Sequence, residues 1–480
     1  MVEVEQVRSP ASSGAIKTRL RDFLLPPLPA NLTPYLYEYS MEQHSSGVQH
    51  STADDFVMVE HATQGGTKAK ESYLDAISSA VEGISDELRT ISLDIHDHPE
   101  LQYKEFHAHQ ILTDYLRNQE GWKVTPSAYD IKTAFVAVFD SGREGPVVSF
   151  NAEYDALAGI GHACGHNLIA IVSLGAALAT AELLRQKDIG GRVVLFGTPA
   201  EEGGGGKKRL LDAGAYKDNQ VDISLITHPG ISPDAALVRT AAYSALKVEF
   251  FGKEAHAAAR PWDGINALDA LIIAYNSISV LRQQTQAGDI IQGQITNGGL
   301  RPNIIHAYAA GRFVVRSSSK KRLEALVKRV TACFEAGAHA TGAELKVTPG
   351  MSYSDHVPNR ALGRQYRQSF NRLGGRIPTE ELDILDAVTQ ASTDQGNISH
   401  AYPSISPNFW IRSESDGGEQ LGGPHTPDFE KAARSEESHE LAKRAAKALA
   451  ATAVGVLTDP DLLADAKKEF EDMVETEGRA

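Results

Sequence analysis

The spacing of apolar positions changes several times along the chain, and each change marks a predicted element. From about residue 68, KAKESYLDAISSAVEGISDELRTISLDIHDHP and then EFHAHQILTDYLRNQEG repeat apolar residues at helical spacing. GPVVSFNAEYDAL is an apolar run that closes on acidic residues and a glycine-rich turn, and LIAIVSLGAALATAELLRQ is long and Ala/Leu-rich enough to be a buried helix. RVVLFGTPAEE and VDISLITHPG repeat the pattern of a strand that ends in chemically able side chains. This alternation predicts an α/β domain with a mostly parallel sheet, a class whose strand ends usually carry the site.

The pattern changes near Tyr243. YSALKVEFFG, DIIQGQITNGG, NIIHAYAAGRFVVR and AELKVTPGMSY read as strands, while GINALDALIIAYNSISVLRQQ and SSSKKRLEALVKRVTACFEAGAHA read as helices. In chain order they form a β-α-β-β-α-β unit, with two helices on one face of one sheet and with edges left open to a partner. Beyond about residue 353 the helical pattern returns, passes through TDQGNISHAYPSISPNFWI and the glycine-rich GGEQLGGPHTPDF, and ends in Ala-rich helices. The expected organisation is an irregular arm over 1–66, a catalytic domain in two parts over 67–242 and 353–480, and a smaller inserted domain over 243–352. Within the arm, PPLP fits either a polyproline docking motif or plain irregular chain, and the latter is the expectation.

Composition narrows the partners. A length of 480 residues with 42% hydrophobic content suffices for two domains, and 47 basic against 62 acidic residues leave a formal charge of −15. That average field opposes nucleic acid and anionic membranes as partners. No unbroken run of 18 apolar residues occurs, and the N-terminal order is not basic-then-apolar, so a cytoplasmic protein is expected. Two cysteines, Cys164 and Cys333, suit a reducing compartment, with a single bridge left open.

Candidate chemistry gathers at the strand ends. GIGHACGHN holds His162, Cys164 and His166, and a thiolate two positions from an imidazole beside glycines could chelate a borderline-soft cation. Asp155 could orient such a ligand, whereas Glu153 could equally cap the turn after its strand. Glu201 and Glu202 are adjacent carboxylates after another strand, able to divide metal binding from proton transfer. His228 in THPG and His425 in GGPHTPDF are further imidazoles for the same centre. Each has an ordinary structural alternative, and it is their conjunction that points to a metal site. In the inserted unit, His256 could reach a developing oxyanion by domain closure or from a partner chain. Asn303, Arg301, Arg312 and Arg316 could bind a substrate carboxylate, with surface charge as the alternative.

These motifs, NAEYDALAGIGHACGHN, PAEEGGGGK, THPG, GKEAHAAARPWDGINALDA, RPNIIHAYAAGRFVVR, STDQGNIS and HTPDF, together resemble the dinuclear metallopeptidases of peptidase family M20. The likeness runs from about residue 80 to about 455 and is strongest to the dipeptidase-like branch of β-alanyl-lysine dipeptidase and aminobenzoyl-glutamate hydrolase. It implies two divalent metal ions, Zn2+ first with Mn2+ or Co2+ as alternatives, held by Cys164, His166, Glu202, His228 and His425. It makes Glu201 the general base, Asp155 the orienting carboxylate, His256 a catalytic and substrate-binding histidine that reaches a partner's site, and Asn303 and Arg316 further substrate-binding residues. A homodimer through the inserted domain is implied as well. The implied reaction is hydrolysis of the amide bond of a dipeptide or N-acyl amino acid bearing a carboxylate. The alternatives are an aryl-acyl or other non-peptide amide, and a non-catalytic metal-dependent binding protein. Three positions depart from the commoner pattern: Glu153 stands for aspartate, Ala158 for proline, and Asn167 for the aspartate of GHACGHD, where it alters charge beside the ligands.

Overall fold

The computed structural model describes residues 66–414 and 422–479, so the irregular arm, apart from Gly66, and the PPLP segment lie outside the described residues. Six strands form the large sheet in the order β1-β2-β4-β3-β5-β11: β1 (Trp122–Pro126), β2 (Phe135–Asp140), β3 (Val147–Ala152), β4 (Arg192–Gly197), β5 (Ile223–Leu225) and β11 (Ser404–Ile405). The β4–β3, β3–β5 and β5–β11 pairings are parallel, while β1 and β2 extend one side antiparallel. The sheet is therefore mixed, with parallel strands where the reactive segments end.

The expected strand VDISLITHPG divides. β5 stays in the large sheet, while β6 (His228–Gly230) pairs in parallel with β12 (Asn408–Trp410) as a separate ladder. Pro229, which has no N–H to donate, sits in the middle of β6. The first helical run also divides, into Gly66–Gly83 and Ser85–Asp97, with Ile84 at φ −118°, ψ 15° directly after Gly83. Glycine at the end of a helix costs little and continues it poorly.

The hydrophobic core of this part lies between the sheet and its covering helices. Helix His166–Lys187 packs on β3 and on helix Glu436–Thr458, and Leu168, Ile171 and Leu174 are buried in it. Each such side chain contributes about 1.5–3 kcal/mol on burial. This helix is long and apolar enough to cross a membrane, yet 94% of its most apolar window is buried inside the protein. Helix Glu436–Thr458 starts at Ser435, whose hydroxyl accepts from the Ser438 N–H, with Glu436 and Glu437 in the first turn.

The smaller unit has the expected element order. β7 (Ala242–Phe251), helix Ala267–Leu281, β8 (Ile290–Asn297), β9 (Tyr308–Ser317), helix Lys320–Thr341 and β10 (Glu344–Tyr353) follow one another, and the sheet order is β10-β7-β9-β8, antiparallel throughout. β9 begins at Tyr308, later than NIIHAY suggests, because Ile304 instead bridges His256 outside the sheet. Phe250, Phe313, Phe334 and Leu271 fill its core, with the Phe313 and Phe334 rings 4.9 Å apart and inclined at 60°. Cys164 and Cys333 are both free thiols, which closes the disulfide alternative.

Candidate metal centre

The ends of β3, β4 and β6 and the two loops beside them deliver one group of side chains. Gly165, at φ 76°, turns the chain into helix His166–Lys187; a Cβ there would lie 2.6 Å from Pro229 Cγ, so the close approach to β6 needs glycine. That turn leaves Cys164 and His166 facing β6, with Cys164 Sγ 3.5 Å from His228 Nε2. After β4, Ala200 adopts φ 58°, unusual for a residue with a Cβ, and this turn directs Glu201 and Glu202 toward the same point. The turn is held from both sides: Glu105 Oε1 accepts the Ala200 N–H at 3.0 Å, and Asp155 accepts the N–H groups of Glu201 and Glu202 at 3.1 and 3.0 Å. His425 also has a positive φ, 72°, with its N–H donated to Ala163 O, and its Nε2 lies 3.0 Å from Glu202 Oε1.

Three overlapping donor groups result. Cys164, His166 and His228 form one, Cys164, Glu202 and His425 a second, and Glu153, His166 and Glu201 a third, with the ligand atoms in each within 4.8 Å of one another. Cys164 belongs to two of them. Asp155 sits behind: its carboxylate oxygen lies 3.1 Å and its backbone oxygen 2.8 Å from His166 Nδ1. A proton on Nδ1 therefore leaves Nε2 as the free lone pair. That Nε2 is buried, has no hydrogen-bond partner, and lies 3.4 Å from Glu153 Oε2, itself unpartnered. Buried polar atoms are rarely orphaned, and an imidazole lone pair aimed at a thiol and carboxylates fits a divalent cation of the zinc type.

The electrostatics divide: burial works against the charge on His166, but Cys164 and Asp155 outweigh it and raise His166 well above the usual imidazole range, so its Nε2 carries a proton that a cation would displace. Burial, with Glu153 and Glu202 next to it, raises Glu201 well above the ordinary carboxyl range. Burial also pushes Glu202 upward, but the hydrogen bond from His425 and the nearby His166 outweigh it, and Glu202 lies below its usual value. His228 is lowered by burial, which keeps its imidazole neutral as a ligand must be. Burial raises the Cys164 thiol, and the positive charge of a cation is what would offset this.

The other residues singled out in the sequence divide. Arg316 on β9 lines a cavity of about 600 Å³ together with Cys164, Glu201, Glu202, His228 and His425. Its guanidinium donates to Ser392 Oγ at 2.8 Å and Gln390 O at 3.1 Å and stacks 4.9 Å over the Tyr243 ring. His256 and Asn303 lie side by side, with the Ala257 N–H donated to Asn303 O, but both are exposed and outside the cavity lining. His162 is buried against His96, with ring centroids 6.0 Å apart, and burial lowers it to about 3.

Sequence reasoning missed four participants. Lys207 is fully buried and its ammonium joins Glu153 Oε1, at 2.7 Å, to Asp394. Asp394 also accepts the Lys207 N–H at 2.8 Å. Tyr353 donates its hydroxyl to Glu201 O at 2.8 Å. Glu105 holds Ala200 as described. Lys207 closes PAEEGGGGK and Asp394 stands in STDQGNIS, so both lie within quoted motifs, whereas Glu105 and Tyr353 carry no local signal.

Residues 144–460 match the family model described as peptidase family M20/M25/M40. The chain belongs to the M20 peptidase family. This M20 peptidase is 37% identical to the Xaa-Arg dipeptidase of Homo sapiens over 430 residues, covering 86% of this chain and 96% of that protein. It is 28% identical to a p-aminobenzoyl-glutamate hydrolase chain of Escherichia coli, covering 84% of this chain and 95% of that one. In fold it is similar to a dinuclear metal binding peptidase of the M20 family from Bacillus subtilis, with TM-score 0.59 and 20% identity over 79% of this chain and 99% of that one. The M20 peptidase falls in the dipeptidase and aminobenzoyl-glutamate-hydrolase-like branch. It is a metal-dependent amidohydrolase acting on a small amide or dipeptide substrate.

Proposed function

We propose that this M20 peptidase cleaves a dipeptide at a site for two divalent cations, Zn2+ first, held by Cys164, His166, Glu202, His228 and His425. The observation that carries this reading is that Cys164 belongs to two donor groups, one completed by His166 and His228 and the other by Glu202 and His425. A single thiolate between two ligand sets is placed where it would serve two cations, one with each set. When bound, the cations supply Lewis acidity to the attacking water and to the scissile carbonyl. Glu201, adjacent to both groups and raised by burial, takes the proton from that water and returns it to the leaving amine. Asp155 is a positioning residue: it sets the His166 tautomer and anchors the N–H groups of both glutamates.

The cavity supports a substrate that carries both signs of charge. Arg316 offers a guanidinium to the substrate carboxylate, and Asp234 and Asp386 line the same cavity. Together with the human relative, this makes a dipeptide ending in arginine or lysine the first substrate to test. We assign the residues over 67–242 and 353–480 to the catalytic domain and 243–352 to an inserted domain that pairs two protomers. Trp262, Val280 and Leu300 are 74%, 73% and 82% exposed on that domain, and β8 and β10 are its sheet edges, surfaces that a second protomer would cover. In such a dimer the exposed His256 and Asn303 would serve the partner's cavity. Two unpaired cysteines suit the cytoplasm.

The experiment is product detection from metal-loaded protein given dipeptides with C-terminal arginine, lysine or alanine, N-acyl amino acids and an aryl-acyl glutamate, in parallel with Glu201→Gln. The expected result is cleavage of the basic dipeptides by the native chain, and a variant that keeps its metal but loses turnover by about 10²–10⁴-fold. Preferred cleavage of the aryl-acyl glutamate would replace the substrate assignment. Normal turnover by metal-loaded Glu201→Gln would overturn the role of Glu201.

A further inference from the structure

A second set of metal-compatible side chains lies away from the cavity. Asp94 stands in the last turn of helix Ser85–Asp97, His98 caps that helix, and His107 is in the first turn of helix Phe106–Arg117. Glu100 fixes the second helix start by accepting the His107 and Ala108 N–H groups at 2.9 and 3.1 Å. As a result one oxygen, Asp94 Oδ1, lies 2.9 Å from His98 Nδ1 and 3.0 Å from His107 Nε2, and the two imidazole centroids are 4.4 Å apart. All three ligand atoms fall within 4.8 Å of one another, and none of the three residues lines the cavity.

We propose that Asp94, His98 and His107 form a peripheral site for a borderline divalent cation such as zinc. Two imidazoles and a carboxylate are a donor set that selects zinc, cobalt, nickel or copper over magnesium and calcium. With bonds of about 2.0–2.1 Å, tetrahedral geometry sets donors about 3.3–3.4 Å apart. The present contacts of 2.9 and 3.0 Å thus need to open by only a few tenths of an ångström. Side chains that are 39–58% exposed can make that adjustment and leave the fourth position to water. His98 Nδ1 also lies 2.9 Å from Asp94 O, and a cation on that nitrogen would replace the proton shared there.

A cation there would also act on the catalytic loop. The segment between His98 and His107 carries Tyr103, whose hydroxyl donates to Gly204 O at 2.6 Å, and Glu105, which accepts the Ala200 N–H. Joining His98 to His107 closes this segment on itself, so the cation staples the strut that grips the turn bearing Glu201 and Glu202.

The test is equilibrium dialysis of the full chain against zinc with metal analysis, and hydrogen exchange over residues 99–106, for the native protein, His107→Ala and Asp94→Asn. The native chain should bind one zinc more than either variant, and zinc should slow exchange in that segment only in the native chain. Equal zinc content in all three would overturn the site. A difference of one zinc without slower exchange would overturn the staple. Asp94→Asn preserves shape, so agreement between the two variants excludes a folding defect as the cause.

Discussion

Lys207→Met removes the ammonium that joins two buried carboxylates, and the structure allows the cost to be worked out. Lys207 and Asp394 are fully buried and Glu153 is 1% exposed, so none of the three can exchange its partner for bulk water. Burial works against the charge on Lys207, yet Asp394 and Glu153 hold its pKa above the usual lysine value. Methionine has a similar length and no charge, so the variant keeps the packing while leaving Glu153 and Asp394 without their cation. Breaking a buried ion pair by removing one partner costs about 3–5 kcal/mol. For ~400 ordered residues the unfolding entropy is about 0.8 kcal/mol/K, so a loss of about 4 kcal/mol lowers Tm by about 5 °C. Urea unfolding followed by circular dichroism, on metal-free protein, measures the difference without the contribution of bound cations. Adding Asp394→Asn to Lys207→Met should restore part of the loss, because one of the two stranded carboxylates is then neutral. A Lys207→Met chain within about 1 kcal/mol of the native one would refute the argument, since it would mean that the triad is not desolvated as its burial indicates.

Cys164→Ala should remove the two equivalents of metal held at the catalytic centre and leave a peripheral zinc in place, because both donor groups lose the atom they share; metal analysis after dialysis checks it, and full retention would exclude Cys164 as a bridging ligand. Glu105 gives a pH signature. Burial raises its carboxyl from 4.5 to about 7, so between those values the folded state holds a proton that the unfolded chain has lost. Stability from this group therefore falls as pH rises through that window, by about 3 kcal/mol in all, and is constant above it. Glu105→Gln should accordingly gain stability relative to the native chain as pH rises from 4.5 to about 7, and an unchanged difference between unfolding curves at the two pH values would count against the shift. Arg316→Gln should raise KM roughly 10-fold for carboxylate-bearing substrates with a smaller effect on kcat. A fall in kcat at constant KM would instead assign Arg316 to the transition state.

Local pattern was enough for the architecture and for the side chains that the fold gathers at the candidate centre. Period 3.6 and period 2 runs place the helices and strands of the inserted unit in their observed order, because each element's apolar face is written in consecutive residues. Cys164, His166, Glu202, His228 and His425 were legible because each stands in a short motif at the end of an apolar run, and the fold brings those ends together. β1 and β2 were not read, and neither was the division of VDISLITHPG into strands of two ladders. Which neighbour a strand pairs with is a long-range property, and Pro229 changes it locally. Tertiary structure alone decided three further things: that Lys207 lies between Glu153 and Asp394, that Glu105 holds the Ala200 turn, and that His256 and Asn303 stand outside the cavity of their own chain. The identity of a charged residue says nothing about its partner. The partner is set by how distant elements pack, and burial of both then makes the pairing obligatory.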